Sequence, residues 1–215
     1  MTDAMIRSDQ RFWPLATGLA LLAGYVDAIG FQHLGGYFVS FMSGNGTMLA
    51  VHLVSPDGRM RGTVEILALL LGLFVGGVMI GTLIRLWLPR HGQVVVLLLV
   101  AGLLAVAAFL GGWAALAMVV AMGALNATFE RDGEVSIGVT YMTGTLVKIG
   151  QHLARTIARR GRWSWLPYLA LWAGFLLGAG LGAWLFPLWG MTALAAASGA
   201  ALLGAGAAWR LQRAI

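Results

Sequence analysis

The residues able to do chemistry in this chain are few, and they sit where polar groups are costly. Asp27 lies near the end of the first apolar run, Lys148 lies inside a later one, and Glu65 and Arg85 flank a third. An ionisable side chain in hydrocarbon is kept when it has a partner or a task. Asp27 is the leading candidate, because a carboxyl there could bind and release a proton. At the matching place in the second half stands Asn126, a dipole that cannot titrate. One titratable group with one fixed dipole suits a cation or proton site. The competing reading is a structural carboxylate that caps a helix or bonds a hydroxyl across the bundle.

Two polar breaks come next. Residues 37–54 and 135–154 are apolar at both ends and polar or Gly-rich in the middle. The first contains Ser43, Gly44, Asn45, Gly46 and Thr47; the second contains Tyr141, Thr143, Gly144, Thr145 and Lys148. Each reads as a short extended stretch (37–42 and 135–142), then a break, then a short helix with Ser43 or Thr143 as its N-cap. A helix that starts inside the membrane exposes unpaired N–H groups and the positive end of its dipole, which attract an anionic or carbonyl group. Paired breaks at matching repeat positions point to a transporter's substrate site. The alternative is that the glycines only permit tight packing. Lys148, one turn beyond Thr145, could pair with Asp27, hold an anion or snorkel to the surface.

Other chemistries are excluded. The chain has no cysteine, and His52 and His152 lack a neighbouring Cys or carboxylate cluster, so no metal site is expected. His33, in a short connection, is expected to be solvated. No nucleophile is paired with a base, so an enzyme is not expected, nor is any cofactor. The formal charge is +6, yet the basic residues cluster at helix ends with no basic stripe interleaved with aromatics. Arg155, Arg159, Arg160, Arg162, Arg210 and Arg213 therefore read as contacts for anionic lipid headgroups, not nucleic acid.

These residues must be held by membrane helices. The chain of 215 residues is 60% hydrophobic and 10% charged, whereas soluble domains are about 25% charged. Six segments read as transmembrane helices: 12–29, 64–88, 94–110, 113–129, 165–186 and 191–209. Tryptophans such as Trp13, Trp87, Trp113, Trp165, Trp189 and Trp209 fall at their ends, where indole favours the lipid–water interface. The run from Phe12 is as long as a span and reads as a retained helix.

The chain also repeats itself. Phe41-Met42-Ser43-Gly44 aligns with Tyr141-Met142-Thr143-Gly144, and His52-Leu53 with His152-Leu153, at an offset of 100. Gly24 and Asp27 align with Gly123 and Asn126; Gly77 and Gly81 align with Gly178 and Gly182. The expected organisation is two tandem membrane repeats, 1–112 and 113–215, forming one domain. The glycine pairs, with Gly174 one turn earlier, let helices approach closely, within the protomer or across a homodimer. If the broken segments do not cross, there are six spans, with Arg59 and Arg61 outside, and the repeats are inverted. If both cross, there are eight spans, with Arg85, Arg90 and Arg131 outside, and the repeats are parallel. Both arrangements place the termini in the cytoplasm.

The residues Gly24-x-x-Asp27-Ala28, Phe38-x-x-x-Met42-Ser43-Gly44-Asn45, Gly123-x-x-Asn126-Ala127 and Thr140-x-x-Thr143-Gly144 resemble the motifs of the YoaK family of bacterial integral membrane proteins. The resemblance spans about 13–209, with Ser43 where the family usually has Thr. It implies about six transmembrane helices in a bacterial inner membrane and no assigned activity.

The function expected from the residues is secondary transport of a small solute, with an anion slightly favoured. The site would lie between the two broken segments and be coupled to protonation of Asp27. A passive channel and a non-transporting membrane scaffold or assembly protein are the alternatives.

Overall fold

The computed structural model describes residues 10–54, 61–131, 134–158 and 163–213. Arg7, Arg59, Arg159, Arg160 and Arg162 lie outside the described residues. Eight α-helices occur among the described residues: α1 (Trp13–His33), α2 (Met42–Leu53), α3 (Arg61–Trp87), α4 (Gly92–Ala107), α5 (Ala114–Asn126), α6 (Met142–Ile157), α7 (Leu166–Trp189) and α8 (Leu194–Arg213). A two-stranded hairpin, which the sequence reading did not anticipate, pairs β1 (Glu130–Arg131) with β2 (Glu134–Val135).

Four helical runs are long and apolar enough to cross a bilayer: Trp13–His33, Arg61–Trp87, Gly111–Phe129 and Leu166–Arg213. The last, 48 residues long, holds both α7 and α8. The chain reverses between them at Gly190, whose φ of 55° lies in the region that favours glycine. Helix α4 is apolar but shorter, at 16 residues.

The burial pattern is that of a protein in lipid. In α1 and the α5 run, 67% and 72% of the apolar window is buried; in α3 and the α7–α8 run it is 22%. Helices α1 and α5 therefore form the centre, and the others surround them. The outer helices turn large apolar side chains outward, among them Leu69, Val75, Met79 and Leu86 on α3 and Leu177, Trp184 and Leu188 on α7. Exposure of contiguous apolar surface on this scale suits hydrocarbon, not water. Their buried faces carry glycine instead: Gly77 and Gly81 on α3, Gly174, Gly178 and Gly182 on α7.

Those glycines set the packing. A Cβ on Gly178 would run into the backbone oxygen of Leu21, and one on Gly182 into that of Tyr25; Gly174 faces Thr17. So α7 lies along α1, in the same direction, at backbone-to-backbone distance. Gly77 meets Val120 and Gly81 meets Ala124 in the same way, which lays α3 along α5. Both glycine sets are used inside the protomer. In the return direction, Gly24 of α1 closes on Phe175 of α7, and Gly123 of α5 closes on Phe74 of α3.

The two central helices run in opposite directions. Phe12, before α1, packs edge-on against Phe129, after α5, with ring centroids 6.4 Å apart. Near the other end of α1, a Cβ on Gly30 would stand 3.2 Å from Met118, early in α5. The Tyr37 hydroxyl, just past α1, lies 3.4 Å from Thr63 at the start of α3.

Candidate functional site

Asp27 is buried in the last third of α1. Gly35 and Gly36, at φ 67° and 117°, turn the chain back after α1, so that residues 37–41 run beside it. One carboxylate oxygen of Asp27, Oδ1, then accepts the backbone N–H groups of Val39 at 2.9 Å and Ser40 at 2.7 Å. Asn45, fully buried on α2, holds the same stretch from the other side. Its Oδ1 accepts the Phe38 N–H at 3.1 Å, and its Nδ2 donates to the Phe38 carbonyl at 2.7 Å. A side-chain amide thus pairs with a peptide group as a neighbouring strand would, and the Phe38 N–H and carbonyl are both satisfied.

The second half uses the same plan with different groups. Asn126 ends α5, and its Oδ1 accepts the Thr140 hydroxyl at 2.8 Å. Its Nδ2 donates to the Met122 carbonyl at 2.9 Å. Thr145, at the place of Asn45, donates to the Tyr141 carbonyl at 3.1 Å.

Both short helices begin two residues earlier than the sequence suggests. Their N-cap positions are Phe41 and Tyr141, with no side-chain capping bond, and helix starts at Met42 and Met142. Phe41 (φ −84°, ψ 71°) and Tyr141 (φ −86°, ψ 57°) are inverse γ-turns, closed by Met42 N–H to Ser40 O and Met142 N–H to Thr140 O, each 3.0 Å. The turn delivers the chain into helix before Ser43 and Thr143 are reached. Those two residues are exposed inside the first turn and do not act as N-caps. Gly44 and Gly144 are likewise helical. Thr47 is exposed, with its hydroxyl on the Ser43 carbonyl at 3.0 Å.

Asp27 also lines a cavity of about 380 Å³. Its walls include Phe31 and Gln32 of α1, Phe38 of the stretch between α1 and α2, and Phe175 of α7. None of Ser43, Asn45, Thr47, Tyr141, Thr143, Thr145 or Lys148 lines it. Because α1 and α5 are antiparallel, Asp27 and Asn126 sit at different levels of the bundle, separated along its axis by on the order of 10 Å. Lys148 is exposed and lies 5.4 Å from the Tyr168 ring centroid, with His152 stacked on the same ring at 5.0 Å.

Sequence reasoning missed two parts of this region, Phe175 and Glu130, whereas Gln32, expected as polar lining, does line the cavity. Phe175 of α7 reaches Asp27's cavity, with nothing in its local sequence to mark it. Gln32 donates to the Ala183 carbonyl at 3.2 Å. Glu130 accepts the Thr82 hydroxyl at 2.9 Å while its carbonyl takes Arg85 at 2.8 Å, which gives the intramembrane Arg85 its partner. No group of three or more His, Cys, Asp or Glu able to hold a metal occurs among the described residues.

A family profile described as "Protein of unknown function (DUF1275)" matches residues 15–207, which takes in every element from α1 into α8. The chain belongs to this family. It is also 38% identical over 203 residues, covering 93% of this chain and 87% of the relative, to the "UPF0700 transmembrane protein RA0705" of Rhizobium meliloti (strain 1021). That relative's description agrees with the lipid-facing surface of α3 and α7. No solved structure matches the chain.

Proposed function

We propose that this family member is a secondary transporter of a small solute, with Asp27 as the coupling group. The observation that carries the reading is the position of that carboxylate. It is buried in a central helix, opens on a cavity of about 380 Å³, and at the same time holds the stretch leading into α2. A change of charge on Asp27 would act on the solute and on the re-entrant backbone together, which is what coupling requires.

The proposed architecture is six crossings built from two inverted repeats, 1–112 and 113–215, in the bacterial inner membrane with both termini cytoplasmic. Its support is the antiparallel course of α1 and α5 and the exchange of partners between halves, α3 on α5 and α7 on α1. Inverted repeats around a membrane-centred site are a common transporter plan. They also account for the two re-entrant segments approaching from opposite ends. The cavity lining has one carboxylate, one amide and three phenyl rings, and no Lys or Arg. It suits a small neutral or cationic solute. The anion expected from two helix N-termini and Lys148 would need groups that do not line this cavity.

The test is uptake of labelled small amines and neutral solutes into proteoliposomes, with and without an imposed pH gradient. Gradient-driven accumulation by the wild type, abolished by Asp27→Asn, is the expected result. Full gradient-driven accumulation by Asp27→Asn would remove Asp27 as the coupling group. A scaffold is the second reading, favoured by the internal satisfaction of Asp27, Asn45 and Asn126. It predicts no accumulation of any solute by the wild type.

A further inference from the structure

The groove between the start of α1 and the end of α8 plays no part in the reading above. It encloses about 890 Å³ and is walled by apolar side chains such as Leu15, Leu19 and Leu203. Its floor includes Gly18 and Gly206, where a Cβ would meet nothing within 4 Å. The charged residues among its lining are Arg11 and Arg210, and no acidic side chain lines it. Both arginines belong to the same end, since Arg11 precedes α1 and Arg210 falls in the last turn of α8.

We propose that this groove holds one anionic phospholipid, with an acyl chain along the glycine floor and the phosphate between Arg11 and Arg210. The length agrees: from Ala200 to Leu211 the α8 wall runs about 16 Å at 1.5 Å per residue, close to half of the roughly 30 Å hydrocarbon core, which is one leaflet. The chemistry agrees as well, because guanidinium groups pair with phosphate through a planar fork of donors. The end of the groove lies at the interface, where Trp209 is stacked by Arg213 at 4.6 Å. The glycines supply the shape: without side chains at 18 and 206, a methylene chain can lie against helix backbone. General headgroup attraction to scattered arginines would not need such a floor.

Native mass spectrometry of the full chain released from detergent, titrated with dioleoyl phosphatidylglycerol or dioleoyl phosphatidylcholine, tests this. The wild type should retain one phosphatidylglycerol in preference to phosphatidylcholine. Arg11→Gln with Arg210→Gln should weaken phosphatidylglycerol binding roughly thirtyfold and leave phosphatidylcholine unchanged. Gly18→Leu with Gly206→Leu, which fill open space, should reduce binding of both lipids while the melting temperature holds. Equal retention of the two lipids by the wild type would overturn the proposal, as would undiminished binding in the leucine variant. A wild-type dimer that the leucine variant splits would show that a second copy occupies the groove, and would overturn it too.

Discussion

Replacing Asp27 with alanine removes the acceptor that two buried peptide N–H groups share, those of Val39 at 2.9 Å and Ser40 at 2.7 Å. Both residues are buried, so water does not readily take the place of the carboxylate. Each donor left unpaired costs about 1–3 kcal/mol. Removing a buried charge returns part of that, because the carboxylate itself was desolvated. The net loss should be about 2–4 kcal/mol, or roughly 5–15 °C in melting temperature for a chain of this length. Asparagine at 27 keeps an oxygen acceptor in place. It loses only charge assistance, which makes such bonds about twice as strong, and should cost about 1 kcal/mol. Asn126 already serves this way, taking the Thr140 hydroxyl at 2.8 Å. Thermal unfolding in detergent, followed by tryptophan fluorescence, gives the order wild type, Asp27→Asn, Asp27→Ala. If Asp27→Ala melts within a degree or two of the wild type, Asp27 is not what holds the stretch between α1 and α2.

Gly178→Ala drives a methyl into the Leu21 backbone and should destabilise by about 1–3 kcal/mol. Gly180→Ala, with nothing within 4 Å, should be neutral or gain up to about 1 kcal/mol; equal melting of the two would contradict backbone-to-backbone packing of α1 and α7. Asn45→Leu strips both partners from the Phe38 peptide and should cost about 2–4 kcal/mol. Faster amide hydrogen exchange across residues 38–41 is the local readout. The chain contains no cysteine, so single cysteines report sidedness directly. With six crossings, Gly36→Cys and Asp57→Cys react with an impermeant maleimide from the same, periplasmic side. Reaction from opposite sides would establish eight crossings instead.

Much of this protein was legible in its sequence, because lipid imposes simple demands. A helix must satisfy its own backbone and be apolar outside, so hydropathy alone marks the long segments, and the low charge content excludes a soluble coat. The close-packing glycines were visible as well, since Gly77, Gly81, Gly178 and Gly182 recur at the spacing that close helix contact needs. Asp27 and Asn126 stood out because polarity is rare in such surroundings. What the sequence left open was direction and partnership. Hydropathy is the same whichever way a helix runs, and the distribution of arginine fits six crossings or eight. Only the packing of Phe12 on Phe129 and Gly30 on Met118 sets α1 against α5, and that arrangement places Asp27 and Asn126 at different levels of the bundle. The start of each short helix was likewise decided by tertiary contact: Asp27 and Asn126 pin the preceding stretch, an inverse γ-turn follows, and Ser43 and Thr143 are already helical. Phe175 joined Asp27's cavity because Gly24 lets α7 approach α1, a long-range contact that no local pattern records.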